Sequence, residues 1–237
     1  QRQLVPILAT SDDHDFGKNN GGQEYKHKEE SKKIFETFFA QEPAQKLNKG
    51  PGVASHFTAF DHNFVFMDNR FFRTENNKDF KNQSHWGTDQ EQWLMKIINH
   101  NKPPNWIING DQVWATYHQF ESYAVNHPKN FAVVAKKMGG AKSPLFFISG
   151  DRHLAEILEV KPPRFAYKTY ELTTSGLHAN LYPRDEPLPA GVIDRNNNQY
   201  NYALLIPQNR SSELKVKVKV YGLGSQLLFK RNLIIKN

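Results

Sequence analysis

Apolar residues in this chain fall into short blocks separated by polar, glycine-marked loops, in a recurring order of strand, loop, helix and strand. Leu4 to Ala9, Trp106 to Ile108 and Leu145 to Ile148 are nearly all apolar, the pattern of strands buried on both faces of a sheet. Each runs into a polar loop that carries acid: Thr10 to Asn20, Asn109-Gly110-Asp111 and Ser149-Gly150-Asp151. Phe57 to Phe60 and Phe64 to Met67, joined by Asp61-His62-Asn63, predict a hairpin. Gln23 to Leu47 carries Ile34, Phe35, Phe38 and Phe39 at helical spacing and predicts an amphipathic helix stopped near Pro43. Thr88 and Glu91 form a capping box, opening a helix whose stripe is Trp93, Leu94, Ile97 and Ile98 and whose end is Pro103-Pro104. A further helix is predicted over Lys129 to Met138, stopped by Gly139-Gly140. Beyond residue 154 the pattern turns to strands: Leu154 to Val160, Tyr167 to Thr173, Asn201 to Ile206 and Leu214 to Val220. The last alternates apolar residues with lysines and so is half-buried, with Gln226 to Lys236 predicted to pair with it. This order predicts an α/β fold with functional loops at the carboxyl ends of its strands.

Composition narrows the function classes. At 237 residues with 38% hydrophobic and 13% aromatic residues, the chain can bury a large core, so its basic excess belongs to a folded surface. That excess, 31 Lys and Arg against 24 Asp and Glu, favours anionic ligands. With no cysteine, a disulfide framework, a thiolate nucleophile and Cys-ligated zinc or iron–sulfur sites are excluded, while the redox compartment stays open. No apolar run approaches a membrane span and no signal peptide is visible. The chain starts at Gln1 rather than Met, which points to processing or to missing upstream sequence.

Ser11-Asp12-Asp13-His14-Asp15-Phe16-Gly17-Lys18-Asn19-Asn20 is the most unusual stretch. Three carboxylates and an imidazole in four positions repel one another unless water or a cation stabilises them, so it reads either as a solvated acidic turn or as a metal site. Asp151-Arg152-His153 leaves a strand with a carboxylate and an imidazole two residues apart, which reads either as a normal pairing for Zn, Fe or Mn or as an ordinary turn with a surface His. Asp111 sits in a third loop of the same kind. Asp68-Asn69-Arg70 offers a guanidinium able to grip phosphate, or else a strand-end ion pair. Thr173 to His178 is a hydroxyl-rich loop read as structural, and His27, His56, His85, His100, His118 and His127 show no ligand spacing and read as surface or packing residues. No Walker loop, GxGxxG or GxSxG is present.

Taken together, DDHDFGKNN after an apolar strand, MDNRFFR, WGTDQEQWL, WIINGDQVW, SGDRHLAEI and TTSGLH resemble, in order and spacing, the blocks of the PhoD-like alkaline phosphatases, a branch of the calcineurin-like metallophosphatases. The resemblance covers about Leu4 to His178. It implies a metallophosphatase-type αββα sandwich with the N-terminal part of the fold absent from this chain. It also implies metal ions, two in number and of Fe, Ca, Mn or Zn, held by Asp13, Asp111, Asp151 and His153. The implied reaction is hydrolysis of a phosphomonoester or phosphodiester by metal-bound hydroxide, with His14 protonating the leaving oxygen and Asp15 orienting His14. Arg70 and Asn20 match phosphate-positioning places, and Asp12, Asn19 and Asp68 match characteristic positions around them. The implied partner is a small-molecule, lipid or polymer phosphate ester, with no specific nucleic acid, and the implied location is periplasmic or secreted, with or without membrane association.

The family's further motifs lie upstream of its DDH block, including a GD motif whose Asp reaches the metals. The expectation is therefore that residues 1–237 form one catalytic domain, incomplete at its N-terminus and completed by an upstream segment of the same protein. Leu4 to Ala9 should then lie in a sheet beside other strands. The alternatives are a non-catalytic basic module that binds polyanions, or an inactive phosphatase fragment.

Overall fold

The structure is a computed structural model and describes residues 7–39, 47–76, 81–100, 103–119, 121–183, 187–210 and 213–236. In chain order its elements are α1 (Asp13–Phe16), α2 (Lys28–Phe38), β1 (Asn48–Lys49), β2 (Ser55–Ala59), β3 (His62–Phe66), α3 (Thr88–His100), β4 (Asn105–Ile108), α4 (Tyr123–Asn126), α5 (Pro128–Met138), β5 (Leu145–Ser149), β6 (Ala155–Val160), β7 (Thr169–Thr174), β8 (Val192–Asn196), β9 (Tyr202–Arg210), β10 (Glu213–Tyr221) and β11 (Leu227–Lys236). They form an eight-stranded sheet of order β1-β2-β3-β4-β5-β7-β6-β8 and a three-stranded sheet of order β11-β10-β9.

Two of the all-apolar runs, Trp106 to Ile108 and Leu145 to Ile148, become β4 and β5 in the middle of the large sheet, where β3, β4, β5 and β7 are parallel. Successive side chains of a strand point to opposite faces, so each run supplies two cores. Ile107, Leu145 and Phe147 pack with Leu94, Ile98, Val134 and Met138 of α3 and α5. Trp106 and Phe146 face the other way, onto Leu214, Val216, Val218 and Val220 of β10 and Leu233 and Ile235 of β11. The alternation predicted for β10 is thus realised, and Lys215, Lys217 and Lys219 lie on the opposite face of the small sheet. Among the described residues the layers run helix, sheet, sheet, a mixed α/β sandwich as expected.

Several expectations need correction. Leu4 to Pro6 lie outside the described residues, and Ile7 to Ala9 form no strand; Ile7 is 76% exposed, so this part of the expected buried strand is solvated. In the α2 stripe only Phe35 is buried, while Ile34 and Phe38 are exposed; Pro43 lies outside the described residues. Thr88 is itself the first helical residue of α3, and the Glu91 carboxylate accepts from Asn130 Nδ2 at 2.8 Å, tying α3 to α5.

The hairpin also turns two residues earlier than its sequence suggests. His62 and Asn63 lie in β3, and the turn is Phe60-Asp61, with φ of 53° and 58°. Positive φ at both central residues is the type I′ geometry, for which Asn-Gly is preferred, whereas a solvated Phe pays a steric penalty there. The double substitution Phe60→Asn, Asp61→Gly is expected to stabilise the protein by about 1 kcal/mol, read as a melting-temperature rise of about 2–4 °C. A fall in melting temperature would contradict the turn assignment.

Candidate functional site

The loops that leave the carboxyl ends of β3, β4 and β5 meet the loop of Ser11 to Asn20 at one edge of the sheet. Two glycines let them approach. The Gly150 N–H donates to Gly110 O at 2.8 Å, and a Cβ on Gly150 would lie 2.7 Å from that oxygen. A Cβ on Gly110 would lie 2.7 Å from Asn69 Oδ1, 2.8 Å from Ser11 O and 2.9 Å from Asp12 Cγ. No other residue type fits between these loops without moving them.

Within the first loop, Phe16 packs on Tyr25 with ring centroids 5.4 Å apart, and Gly17 closes the single turn of α1 in the left-handed region. Asn20, with φ of 54°, turns its N–H onto Asp13 Oδ2 at 3.0 Å, and the His14 N–H donates to Asp13 Oδ1 at 2.7 Å. Asp13 is therefore buried and aimed by backbone. Asp12 Oδ1 accepts from Asn69 Nδ2 at 2.9 Å and from Arg70 Nε at 2.7 Å. Together with Asp151, these two residues form a group whose carboxylate oxygens lie within 4.8 Å of one another.

Around this group runs a buried ion network. Arg70, fully buried, also donates to Glu121 Oε2 at 2.7 Å. Arg73 donates to Asp111 Oδ2 at 2.8 Å and to Glu121 Oε2 at 3.1 Å. Asp111 Oδ1 accepts from His85 Nε2 at 3.0 Å and Asn109 Nδ2 at 2.7 Å. Although burial opposes its charge, His85 and Arg73 hold the Asp111 carboxyl below the ordinary range. Burial lowers His85 and takes His127 to about 3, so both imidazoles are neutral at pH 7. Five carboxylates, Asp12, Asp13, Asp111, Glu121 and Asp151, then face two guanidiniums.

The excess negative charge falls on the three clustered acids. Burial, Asp111 and Asp13 push the Asp12 carboxyl up to about 6 against the pull of Arg70. Burial, with Asp12, Glu121 and Asp111 nearby, pushes Asp151 up to about 8. A cation held between them would remove this repulsion. The donors suit a hard cation: three carboxylates, with Asn69 Oδ1 a buried oxygen beside Asp12 that has no hydrogen-bond partner.

These shifts have a sign that can be measured. Burial keeps His85 and His127 neutral when folded, and above about pH 7 the same imidazoles are largely neutral in the unfolded chain too, whereas Asp151 still binds a proton only when folded. Stability without metal is therefore expected to fall as pH rises from about 7 to 8. Thermal melts in chelator test this, and a melting temperature flat or rising across that window would refute it.

The structure brings together only part of the set expected from sequence. Asp111 and His153 do not join the carboxylate group. Asp111 is fully enclosed by Arg73, His85 and Asn109. Asp151 and His153 have φ of 64° and 53°, so they do not share one extended face, and His153 Nδ1 meets Asn180 O at 2.6 Å while its ring stacks on Tyr182. Arg70, expected to grip phosphate, has no exposed surface and instead holds Asp12 and Glu121, because a buried guanidinium needs carboxylates around it. Asp68 is likewise internal: Oδ1 accepts the Arg70 and Phe71 N–H groups, and Oδ2 accepts that of Val53. His14 is exposed, its Nε2 4.0 Å from Asp13 Oδ1. Asp15 is exposed and accepts the Asp12 N–H at 3.3 Å, bracing the turn. Asn19 and Asn20 are exposed on the same loop. Arg73, Glu121 and the buried pair His85 and His127 carry the network without having been singled out. Arg73 ends the MDNRFFR block, which was the one local signal for it.

Fold and site together define an α/β sandwich with acid-bearing loops clustered at the ends of its parallel strands. Among solved structures the chain is similar to PhoD, with a TM-score of 0.64 and 14% identity over 94% of this chain and 53% of that chain. The likeness is one of fold, and the chain spans about half the length of that neighbour. No protein-family model matches the chain and no curated protein matches it in sequence.

Proposed function

We propose that the protein is a metal-dependent phosphoester hydrolase. The observation that carries this reading is the convergence of Asp12, Asp13 and Asp151 oxygens within 4.8 Å beside the carboxyl ends of the parallel strands at the middle of the sheet. The PhoD-like fold and the ordered sequence blocks support it. A phosphate ester resists water because both are electron-rich, and a bound divalent cation supplies a water of lowered pKa and shields the phosphate oxygens.

The chain's own residues have separable tasks. Asp12, Asp13 and Asp151 hold the cation, and Arg70 and Asn69 fix Asp12 in place. Asn20, through its backbone N–H, fixes Asp13, and its side chain is exposed on the same loop. His14, exposed beside Asp13, is placed to protonate the leaving oxygen, and Asp15 braces the turn that carries it. The substrate is a small-molecule, lipid or polymer phosphate ester, and the exported location implied by the resemblance belongs to the same proposal. Among the described residues no helix is long and apolar enough to cross a membrane. Polyanion binding without catalysis is not favoured, since it gives no role to three carboxylates gathered at the strand ends.

The test is hydrolysis of aryl phosphate mono- and diesters by the purified protein with Mn, Ca, Fe or Zn, before and after chelation. Turnover that survives complete metal removal, or no turnover with any metal, would overturn the proposal.

A further inference from the structure

A cavity of about 480 Å³ opens beside the carboxylate group, with Asp151 in its wall. It is far larger than a phosphate group requires and lies within the size range of pockets for whole organic ligands. Its lining says what kind of group belongs there. Glu156 at its base is fully buried and accepts from Arg195 Nε at 2.6 Å, from Gln112 Nε2 at 3.1 Å and from the Tyr117 hydroxyl. The one buried carboxylate of the base is therefore matched internally by Arg195, which makes the base poorly suited to a second charged group on the ligand. Beside the polar side chains of Gln112, Gln119, Arg152 and Asn197, part of the wall is π surface. The Arg195 guanidinium lies 5.4 Å from the Tyr117 ring centroid, and Tyr182 stacks on His153 at 5.4 Å with an interplanar angle of 20°. Tyr182 lines the cavity and is 62% exposed, so its ring is not consumed by the core.

We propose that this cavity is the subsite for the organic part of the ester and takes a ring-bearing group, with Tyr117 and Tyr182 as its stacking walls. The inference rests on the phosphoester hydrolase reading, and it makes Tyr182 a specificity-determining residue rather than a catalytic one. Ring-on-ring contacts of this kind distinguish ligands by about tenfold.

Two measurements on the metal-loaded protein separate the subsite from the chemistry. The first compares phenylphosphonate and methylphosphonate as competitive inhibitors of the hydrolysis of methyl phosphate, a substrate without a ring. The second compares calorimetric binding of phenylphosphonate and methylphosphonate, which needs no turnover. The expected result is a preference of about tenfold for the phenyl ligand in both, reduced to about twofold or less in Tyr182→Ala with an unchanged melting temperature. Equal handling of phenyl and methyl ligands, or a preference that survives both Tyr182→Ala and Tyr117→Leu, would overturn the subsite. Selective binding without turnover would support the subsite and count against the hydrolase reading alone.

Discussion

Asp151→Asn is expected to lower metal-dependent phosphoester hydrolysis by about 100-fold or more and, at the same time, to make the metal-free protein more stable above pH 6.5. The two effects have one cause. Asp151 forms no ion pair among the described residues, and burial beside Asp12, Glu121 and Asp111 pushes its carboxyl up to about 8. Ionising it in the absence of a cation therefore destabilises the fold, and an amide at the same position has no charge to desolvate. The same charge is what a divalent cation would use, so the substitution removes both the penalty and the binding site. Paired thermal melts, in chelator and in excess metal, should show the variant melting higher than the parent in chelator and gaining much less from metal. Asp89→Asn, on the exposed first turn of α3, should change neither quantity. If Asp151→Asn lowered stability in chelator, the electrostatic account of the site would be wrong, and if metal stabilised it as much as the parent, the ligand assignment would be.

Arg73→Met should be the most destabilising single change in the site region. Arg73 is about 1% exposed and bridges Asp111 and Glu121, two carboxylates with almost no access to water. Methionine fills much of the same volume but leaves those charges facing each other. Removing one partner of a buried ion network costs about 3–5 kcal/mol, which for a domain of this size corresponds to a fall of roughly 10 °C in melting temperature. Lys217→Met, on an exposed position of β10, provides the contrast and should stay within about 0.5 kcal/mol of the parent. Adding Asp111→Asn to Arg73→Met should recover part of the loss, because it removes one of the stranded anions. Denaturant unfolding of these four proteins and of the Asp111→Asn single variant would settle it, and an additive double variant would show that Asp111 and Arg73 are not coupled.

The contrast between these arginines and the clustered acids shows where local pattern stops being informative. MDNRFFR contains two guanidiniums three residues apart, and nothing in the block distinguishes a phosphate grip from an internal counter-ion. The difference is set by partners 58 residues from Arg70 and 38 from Arg73. The same holds for Asp111 and Asp151, which stand in near-identical Gly-Asp loops after adjacent parallel strands. Asp111 is neutralised because Arg73 and His85 arrive beside it, whereas Asp151, held at positive φ after Gly150, has no such neighbours and joins Asp12 and Asp13. His153 was expected to share a face with Asp151, a rule that applies to extended backbone and lapses in this loop. His85 and His127 carried no spacing signal because they act through burial, which only the packed helices and loops create.

The amino-acid sequence by itself determined the central buried strands β4 and β5, the amphipathic character of α3, α5 and β10, and the loops in which acid would appear. Those features follow from periodicity and turn chemistry over a few residues, and they sufficed to indicate an α/β fold with a PhoD-like order of blocks. Only the tertiary structure decided which acids share a cation site and which are matched by arginine. That choice depends on the close approach of Gly110 and Gly150 and on charges brought together from distant segments, since the energy of a buried carboxylate is fixed by what surrounds it in space rather than by its neighbours along the chain.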